Sequence, residues 1–307
     1  TSISTSLKRS DAHFLNIRSG ESVFNIIEDQ DVKNLRQVTH LKLMPETKME
    51  FGFDAGVNET SYDYYRKLTN NQSPANKIEF DKVVNTTNYA AFLTLKQNLF
   101  SRLIFSAGLR LDHNNYENIN LWSPRINLDY EIYKGKTNFI INAGLYNQNP
   151  PPIYIANEAS NDLKSVSAYQ HSLSLEHMVT PSTKLSFSAY QKKYTNSPIL
   201  PGATLHNDPT FLFDELRMYN GIVSSGSAIS DGLEILIQKK KAENFYGLVG
   251  GSIFNSTFTD YNGIKRNRNH NYRYIFNIVG GYRPNTDWEI SIRWSYFGGR
   301  PYTPINL

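Results

Sequence analysis

The sequence predicts an all-β fold, an antiparallel up-and-down transmembrane β-barrel. Three observations lead to this prediction. Apolar residues alternate with polar ones over long stretches, short and long connections alternate between those stretches, and aromatic residues collect near the stretch ends. The alternation has a period of two, which is typical of a strand with one apolar and one polar face. We count about thirteen such strands, many of them about 10 to 14 residues long, against the usual five or six.

The alternation is clearest in seven stretches: 49–57, 103–112, 125–132, 139–146, 184–190, 233–238 and 288–296. In the stretch FIINAGLY (139–146), Phe139, Ile141, Ala143 and Leu145 share one side, and Ile140, Asn142, Gly144 and Tyr146 share the other. The mean hydropathy is −0.48, and no stretch of the sequence reaches the roughly 18 apolar residues of a membrane helix. A tilted strand of roughly ten residues is long enough to cross the hydrocarbon layer.

The connections alternate in length along the chain. The short ones are predicted at 45–47, 98–101, 134–136, 180–183, 240–244 and 283–286, and the long polar ones at 67–84, 114–121, 147–165, 195–228 and 260–269. In an up-and-down sheet this order puts every short turn at one end and every long loop at the other. Outer-membrane barrels have this asymmetry, with short periplasmic turns and longer outside loops.

Aromatic residues near the strand ends resemble the girdles that barrels have at the two membrane interfaces. They are Tyr62, Tyr64, Tyr65, Tyr116, Trp122, Tyr133, Tyr194, Phe245, Tyr246, Tyr272, Tyr274, Trp288 and Tyr296. The alternative is a soluble β-sandwich or propeller with its apolar face inward. Such folds use shorter strands, with turn signals every 8–12 residues. The long strands therefore favour the barrel.

The composition contains few signals of an enzyme or a cofactor site. The sequence has no cysteine and lacks G-x-S-x-G, H-E-x-x-H and P-loop motifs, so we expect neither catalysis nor a bound cofactor. A net charge of +4 is weak for a nucleic-acid-binding protein. His171, Glu176 and His177 suggest a metal site, but Glu176 has the opposite strand parity to both histidines. We therefore expect no metal site there.

Several stretches resemble the TonB-dependent receptors of Gram-negative bacteria, in the form common among Bacteroidetes. They are LWSPRINLDY (121–130), NAGLYNQNPPPIYI (142–155), LKSVSAYQHSLSLEHMV (163–179), LSFSAYQKKYTNSPI (185–199), SDGLEILIQKK (230–240) and WEISIRWSYFGGRPYTP (288–304). The resemblance implies a 22-stranded barrel in the bacterial outer membrane, filled by an N-terminal plug. We therefore interpret residues 1–307 as a barrel segment, with the plug and the last barrel strands not visible in it.

The same resemblance implies uptake of a scarce ligand, with energy supplied through the plug by the TonB complex. Siderophore, glycan, peptide and vitamin all stay open as the ligand. Outer-membrane lipid and lipopolysaccharide are expected as further partners, and nucleic acid is not. The alternatives are a passive porin- or adhesin-type barrel, or a soluble β-rich binding domain.

Charged residues on the polar faces must point into the lumen, because a charge in lipid costs several kcal/mol. They are Arg110, Asp112, Arg125, Asp129, Glu131, Glu234 and Arg293. Contact with the plug is the favoured role for them, and lining a substrate path is the alternative.

The loop that follows FIINAGLY is predicted to gather ligand. Its candidate contacts, with the strand end before it, are Tyr146, Gln148, Asn149, Tyr154 and Asn157. Pro150, Pro151 and Pro152 favour an extended polyproline geometry that would hold Tyr154 over the pore mouth. In a later loop, Lys265, Arg266 and Arg268 are either a solvated turn or a contact for lipopolysaccharide phosphate.

Overall fold

The computed structural model describes residues 2–15, 22–67, 77–156, 163–199, 201, 221–242 and 244–301. These residues form fourteen β-strands, one short α-helix and one 3-10 turn, and none of their helices is long and apolar enough to span a membrane. The strands are β1 (Ser2–Leu15), β2 (Ser22–Met44), β3 (Thr47–Lys67), β4 (Lys77–Leu99), β5 (Leu103–Asn114), β6 (Asn120–Tyr133), β7 (Thr137–Gln148), β8 (Val166–Thr180), β9 (Thr183–Ile199), β10 (Val223–Ala242), β11 (Phe245–Thr259), β12 (Lys265–Asn267), β13 (Tyr274–Tyr282) and β14 (Ile290–Phe297). The helix α1 spans Pro152–Ala156, and the 3-10 turn spans Phe100–Arg102.

All the strands belong to one antiparallel sheet in which each long strand pairs with the next one along the chain. The path runs from β1 to β11 and then through β13 to β14, and β12 pairs only with β11. This path of thirteen strands confirms the predicted up-and-down order. Within the described residues the sheet ends at β1 and β14, so the barrel is partial and is not closed there.

The predicted alternation of short turns and long loops is confirmed for most of the sheet; the exception is the connection 115–119 between β5 and β6, which is shorter than the turn 283–289 between β13 and β14. Short turns join β2 to β3, β4 to β5, β6 to β7, β8 to β9, β10 to β11 and β13 to β14, all at one end of the sheet. The predicted strand lengths are too short for part of the sheet, because β2 and β4 each contain 23 residues and β3 contains 21. The loops shorten accordingly: β9 continues to Ile199 and β10 begins at Val223, inside the predicted loop 195–228.

The sheet has two chemically distinct faces. On one, here called the apolar face, large hydrophobic side chains lie exposed, among them Leu93, Leu109, Phe187, Leu233 and Ile292. No second layer covers this face within the part of the chain that the structure describes. Soluble proteins rarely expose so much contiguous apolar surface. The apolar face is therefore the surface that contacts lipid.

Strand β3 shows where the membrane ends. On its apolar face, Phe51, Phe53 and Val57 are exposed, and the next residues of the same parity include Glu59 and Asp63, also exposed. From Met49 to Val57 the apolar part is about 27 Å long, which fits a barrel's apolar band of about 25 Å. The outer ends of β2, β3 and β4 therefore project beyond the membrane on the loop side.

The opposite face, here called the polar face, has amide and hydroxyl side chains that bond across strands. Asn127 Nδ2 donates to Asn142 Oδ1 at 2.6 Å, and Asn142 Nδ2 donates to Ser172 Oγ at 3.2 Å. Further along, the hydroxyls of Ser174 and Ser188 are 2.9 Å apart. Asn142 of FIINAGLY is thus part of a hydrogen-bonded row, which explains a polar residue in the middle of a membrane strand.

We expect single nitroxide labels to distinguish the two faces, because lipid dissolves oxygen and excludes charged solutes. The sequence has no cysteine, so an introduced cysteine provides one attachment point in it. Oxygen should relax labels on the apolar face, and a water-soluble nickel chelate should relax labels on the polar face. The label sites are Leu109, Phe187 and Ile292 for the apolar face, and Arg110, Ser188 and Arg293 for the polar face. The reverse pattern of relaxation would contradict the membrane assignment.

Candidate functional site

The polar face of β4 to β10 lines an open cavity of about 570 Å³. Because one cavity is lined by seven neighbouring strands, this face is concave. Its lining is mostly amide, hydroxyl and aromatic, with three charged residues. The lining residues that matter below are Arg125, Asn142, Tyr146, Gln170, Tyr190, Lys192 and Glu234. A volume of this order is typical of small-molecule sites.

Glycines make room in the wall of this cavity. A Cβ atom on Gly144 would lie 3.1 Å from Arg125 Cγ and 3.1 Å from Tyr146 Cε2. A Cβ atom on Gly232 would lie 2.9 Å from the hydroxyl of Tyr190. A Cβ atom at either position would therefore crowd the neighbouring tyrosine.

Each of these two tyrosines contacts a cation. The guanidinium carbon of Arg125 lies 4.4 Å from the ring centroid of Tyr146. The ammonium nitrogen of Lys192 lies 5.6 Å from the ring centroid of Tyr190. Both distances are within the range of cation–π attraction. The cavity thus contains two cations that aromatic rings hold in place.

Arg110 and Asp112 belong to a charge network on the polar face outside the cavity. Arg110 Nη1 lies 2.6 Å from Asp54 Oδ2, and its Nε donates to Asp112 Oδ1 at 2.9 Å. Arg36 lies 3.6 Å from the same Asp54 and has its guanidinium 5.2 Å from the Phe92 ring. The charges in this network neutralise one another within the sheet.

The other predicted inward charges are spread along the polar face. Arg125 and Glu234 line the cavity. Asp129 accepts a hydrogen bond from Asn138 Nδ2 at 2.7 Å, and Glu131 accepts one from the Gly135 backbone at 2.6 Å in a short turn. Arg293 lies on β14, on the face opposite Ile292. Of the predicted inward charges, the structure therefore brings only Arg125 and Glu234 to the cavity.

An apolar cluster, here called the outer cap, closes the loop end of the sheet. It joins the tips of β2, β3 and β4 to α1 and to two further loop residues, and its members are Phe24, Ile26, Tyr62, Tyr64, Val84, Ile153, Tyr154, Ala156, Leu163 and Ile222. The ring of Tyr64 stacks on Phe80 at 5.0 Å. Because Ile222 belongs to the loop before β10, the cap connects segments from distant strands across the mouth.

The outer cap corrects two predictions. Tyr154 is only 2% exposed, so it is a core residue and its interpretation as an exposed ligand contact is wrong. Pro152 begins the helix α1 and does not continue an extended polyproline segment. Tyr62 and Tyr64, predicted for the membrane girdle, are also buried in the cap. In contrast, Trp122, Tyr133, Phe245, Trp288 and Tyr296 are exposed near strand ends, as expected of girdle residues.

Hydrogen bonds join the loop after β7 to β4, to the end of β5 and to the connection that follows β5. Asn149 donates to Asn88 Oδ1 at 2.7 Å and accepts from Asn114 Nδ2 at 3.1 Å. Glu117 Oε1 accepts from the Ser165 backbone at 2.9 Å. The predicted contact Asn149 therefore already uses its amide within the protein.

The remaining predicted contacts lie in different surroundings. Tyr146 lines the cavity, Gln148 is exposed at the end of β7, and Asn157 lies outside the described residues.

The loop between β11 and β13 is organised by Asp260, which is 4% exposed. Its Oδ1 accepts from the backbone nitrogens of Asn262 at 3.0 Å and Ile264 at 2.8 Å, and its Oδ2 lies 2.6 Å from Arg266 Nε. Burial raises the pKa of this carboxyl, but the bonds from Arg266, Ile264 and Asn262 outweigh it and hold the pKa below the ordinary value of 3.8.

This arrangement determines which basic residues of the loop face outward. Arg266 is ion-paired to Asp260, and the guanidinium of Arg268 lies 5.3 Å from the Tyr194 ring. Lys265 is exposed. The loop is therefore built around internal contacts of its arginines and is more ordered than a solvated turn.

Sequence reasoning missed Tyr190 and Lys192 as cavity residues. Their strand parity is visible in the sequence, since both share the side of Ser186 and Ser188. What the sequence does not show is that the polar faces of seven strands form one wall.

Strand parity puts His171 and His177 on the apolar face, although His171 also borders the cavity. His177 Nδ1 is 2.8 Å from Thr137 Oγ1. Glu176 bonds to Lys184 at 3.0 Å on the other face. The three side chains do not converge, as their parity indicates.

Comparison with known families gives one match over nearly the whole chain. The family model described as "TonB dependent receptor-like, beta-barrel" matches residues 5–306. No curated protein is similar in sequence.

Three solved structures illustrate the similarity in fold. The ferric enterobactin receptor PfeA in complex with BCV-L6 has a TM-score of 0.66 and 12% identity, over 96% of this chain and 47% of that one. The FrpB iron transporter from Neisseria meningitidis has a TM-score of 0.63 and 12% identity, over 88% and 43%. The alcaligin receptor FauA from Bordetella pertussis has a TM-score of 0.59 and 16% identity, over 96% and 50%. The chain thus spans about half the length of these structures.

We expect Tyr154→Ala to loosen the outer cap, because emptying a buried aromatic position costs about 3 kcal/mol or more. Hydrogen exchange of the backbone amides at 153–156 should then speed up by about a hundredfold. Tyr261→Ala is the matched control, since Tyr261 is a loop tyrosine that is 54% exposed. Heat-modifiable migration should show a folded barrel in both variants. Equal loop protection in the two variants would contradict the role of the cap.

We expect acid to open the β11–β13 loop through Asp260. Its pKa is lower in the folded loop than in an unfolded chain, so its stabilisation is complete above the ordinary value of 3.8. That stabilisation is lost as pH falls from there through the folded pKa. Pulsed hydrogen exchange at Asn262 and Ile264 after incubation between pH 5 and pH 2 should report the opening. Asp260→Asn should abolish this pH dependence, and persistence of the dependence in that variant would refute the assignment.

Proposed function

Because this chain belongs to the TonB-dependent receptor-like β-barrel family, we propose that it is the barrel portion of a receptor for TonB-energised uptake of a scarce ligand. The family and the similar structures are outer-membrane receptors and transporters, not enzymes. The barrel accordingly lies in the outer membrane of a Gram-negative bacterium. The observation that best supports a transport role is the concave polar face, which lines an open cavity on the side of the sheet opposite the apolar face.

In this proposal a plug domain fills the lumen and connects the barrel to the TonB complex. The charges on the polar face then meet the plug or line the substrate path. Four of these charges already have partners within the sheet or its turns, so we expect them to form a lumen wall that the plug contacts without bonding to them: Arg110, Asp112, Asp129 and Glu131. Arg125, Glu234 and Arg293 are the better candidates for bonds to the plug or to substrate.

Siderophore, glycan, peptide and vitamin are the ligand classes that we consider. Two of the similar structures are receptors for ferric enterobactin and alcaligin. At 12% and 16% identity they are similar to this chain in fold, and they do not identify its ligand. Tyr146 and Gln148 are the proposed first contacts, together with Asn157. Outside the barrel, we propose that Lys265 contacts lipopolysaccharide phosphate, since the neighbouring Arg266 is engaged by Asp260.

The decisive experiment measures ligand uptake by the full-length receptor in its own cells. Uptake is compared in cells that lack the receptor, cells that lack the TonB complex, and parent cells with normal receptor levels. We expect both deletions to abolish uptake, because a plugged lumen opens only when energy is supplied.

A passive porin-type barrel gives a different result. Uptake through it would survive loss of the TonB complex and would rise in proportion to external ligand. That outcome, with normal receptor levels in the outer membrane, would replace active import by passive diffusion.

A further inference from the structure

The inward charges divide into two groups according to their partners. Arg110 lies between two carboxylates, and Lys184 is 3.0 Å from Glu176. Arg125 and Lys192 form no ion pair with any described residue, and each instead contacts a tyrosine ring. Both of these cations line the same cavity.

The contact with Tyr146 fixes Arg125 without cancelling its charge. An aromatic face attracts the guanidinium plane and leaves its N–H groups free to donate at the edge. Gly144 favours this geometry, because a Cβ atom there would crowd both side chains at 3.1 Å. Arg125 is therefore positioned to bind a planar or tetrahedral anion.

Lys192 lies in the same row across the sheet. Arg125 pairs with Gly144, Gly144 with Gln170, and Gln170 with Lys192. Three strand spacings separate the two cations, about 14 Å between backbones, and the long side chains can shorten the gap between the charges. Between the two cations, the amide of Gln170 lines the cavity.

We propose that this row binds a small ligand that bears carboxylate or phosphate groups. This inference rests on the proposed receptor function and adds a ligand chemistry to it. Both cations supply charge-assisted hydrogen bonds, which are stronger than neutral ones. Glu234 lies at the turn side of the same cavity and repels anions there, so the ligand's anionic end lies toward Arg125 and Lys192.

Chemical modification of the full-length receptor tests the proposal directly. Phenylglyoxal reacts with accessible guanidinium groups, and peptide mass spectrometry reports each arginine separately. Arg125 should react, and either malonate or inorganic phosphate should slow its reaction about tenfold or more. Arg110 is the matched control: it should react slowly with and without anions, because two carboxylates hold it. Protection by malonate alone would indicate a carboxylate ligand, and protection by phosphate alone a phosphate ligand.

Two results would overturn the proposal. Arg125 could resist modification in the full-length receptor without added anion, which would show that another part of the protein neutralises it. Arg125 could also react at the same rate with and without both anions. The uptake experiment tests the receptor function separately. If uptake requires the TonB complex and either of these two results is also found, the anion site is refuted and the receptor function is not.

Variants give an independent measurement by calorimetry with malonate and phosphate. Arg125→Gln should weaken binding of the protecting anion about tenfold or more. Tyr146→Phe keeps the ring and should bind nearly as well as the parent. Lys184→Gln is the control, because Lys184 is paired to Glu176 and does not line the cavity. Equal binding by Arg125→Gln and Lys184→Gln would contradict the assignment.

Discussion

The structure depends on one constraint: in lipid, every backbone N–H and C=O must find its partner inside the protein. An antiparallel ladder satisfies these groups strand by strand, and it forces side chains to alternate between lipid and lumen. Thirteen strands in sequence order follow from this constraint, since each strand pairs with its neighbour in the chain. The apolar face needs no second protein layer because lipid covers it, and the polar face can hold Asn142 and Ser172 because they bond to each other.

Outside the membrane the polarity of the two faces is reversed, as β3 shows: the outward face becomes polar and the inward face becomes apolar. Below the outer boundary, the outward side of β3 shows Phe53 and Val57, and above it Glu59 and Asp63. The inward side changes in the opposite sense, from Asp54 in a charge network to the buried rings of Tyr62 and Tyr64. Where water replaces lipid, an apolar cluster is stable only when protein covers it. The loop with α1 supplies that cover, which explains why these strands are longer than the membrane requires.

Period-two parity, the alternating lengths of the connections and the aromatic residues near strand ends together predicted the fold class, the strand order and the end at which most loops lie. Parity placed Arg110 and Leu109 on opposite faces. It did not predict the outer cap, because parity shows which residues share a face and not what covers that face. Tyr154 looked like an exposed loop residue for the same reason, since its partners Phe24 and Tyr64 are about 90 to 130 positions away in the sequence. The lengths of β2, β3 and β4 were underestimated because these strands continue past the membrane into the outer cap.

In the candidate site, too, strand parity does not distinguish one charged residue from another on the same face. In the sequence, Arg110 and Arg125 are equivalent: each is an arginine on the polar side of a membrane strand. The structure separates them, because Asp54 and Asp112 reach Arg110 whereas the neighbours of Arg125 on adjacent strands are Gly108 and Gly144. A neutralised arginine stabilises the wall, whereas one held by an aromatic ring keeps its charge. The residues that distinguish them are glycines, which supply space and no functional group, so a search for chemically active side chains does not detect them.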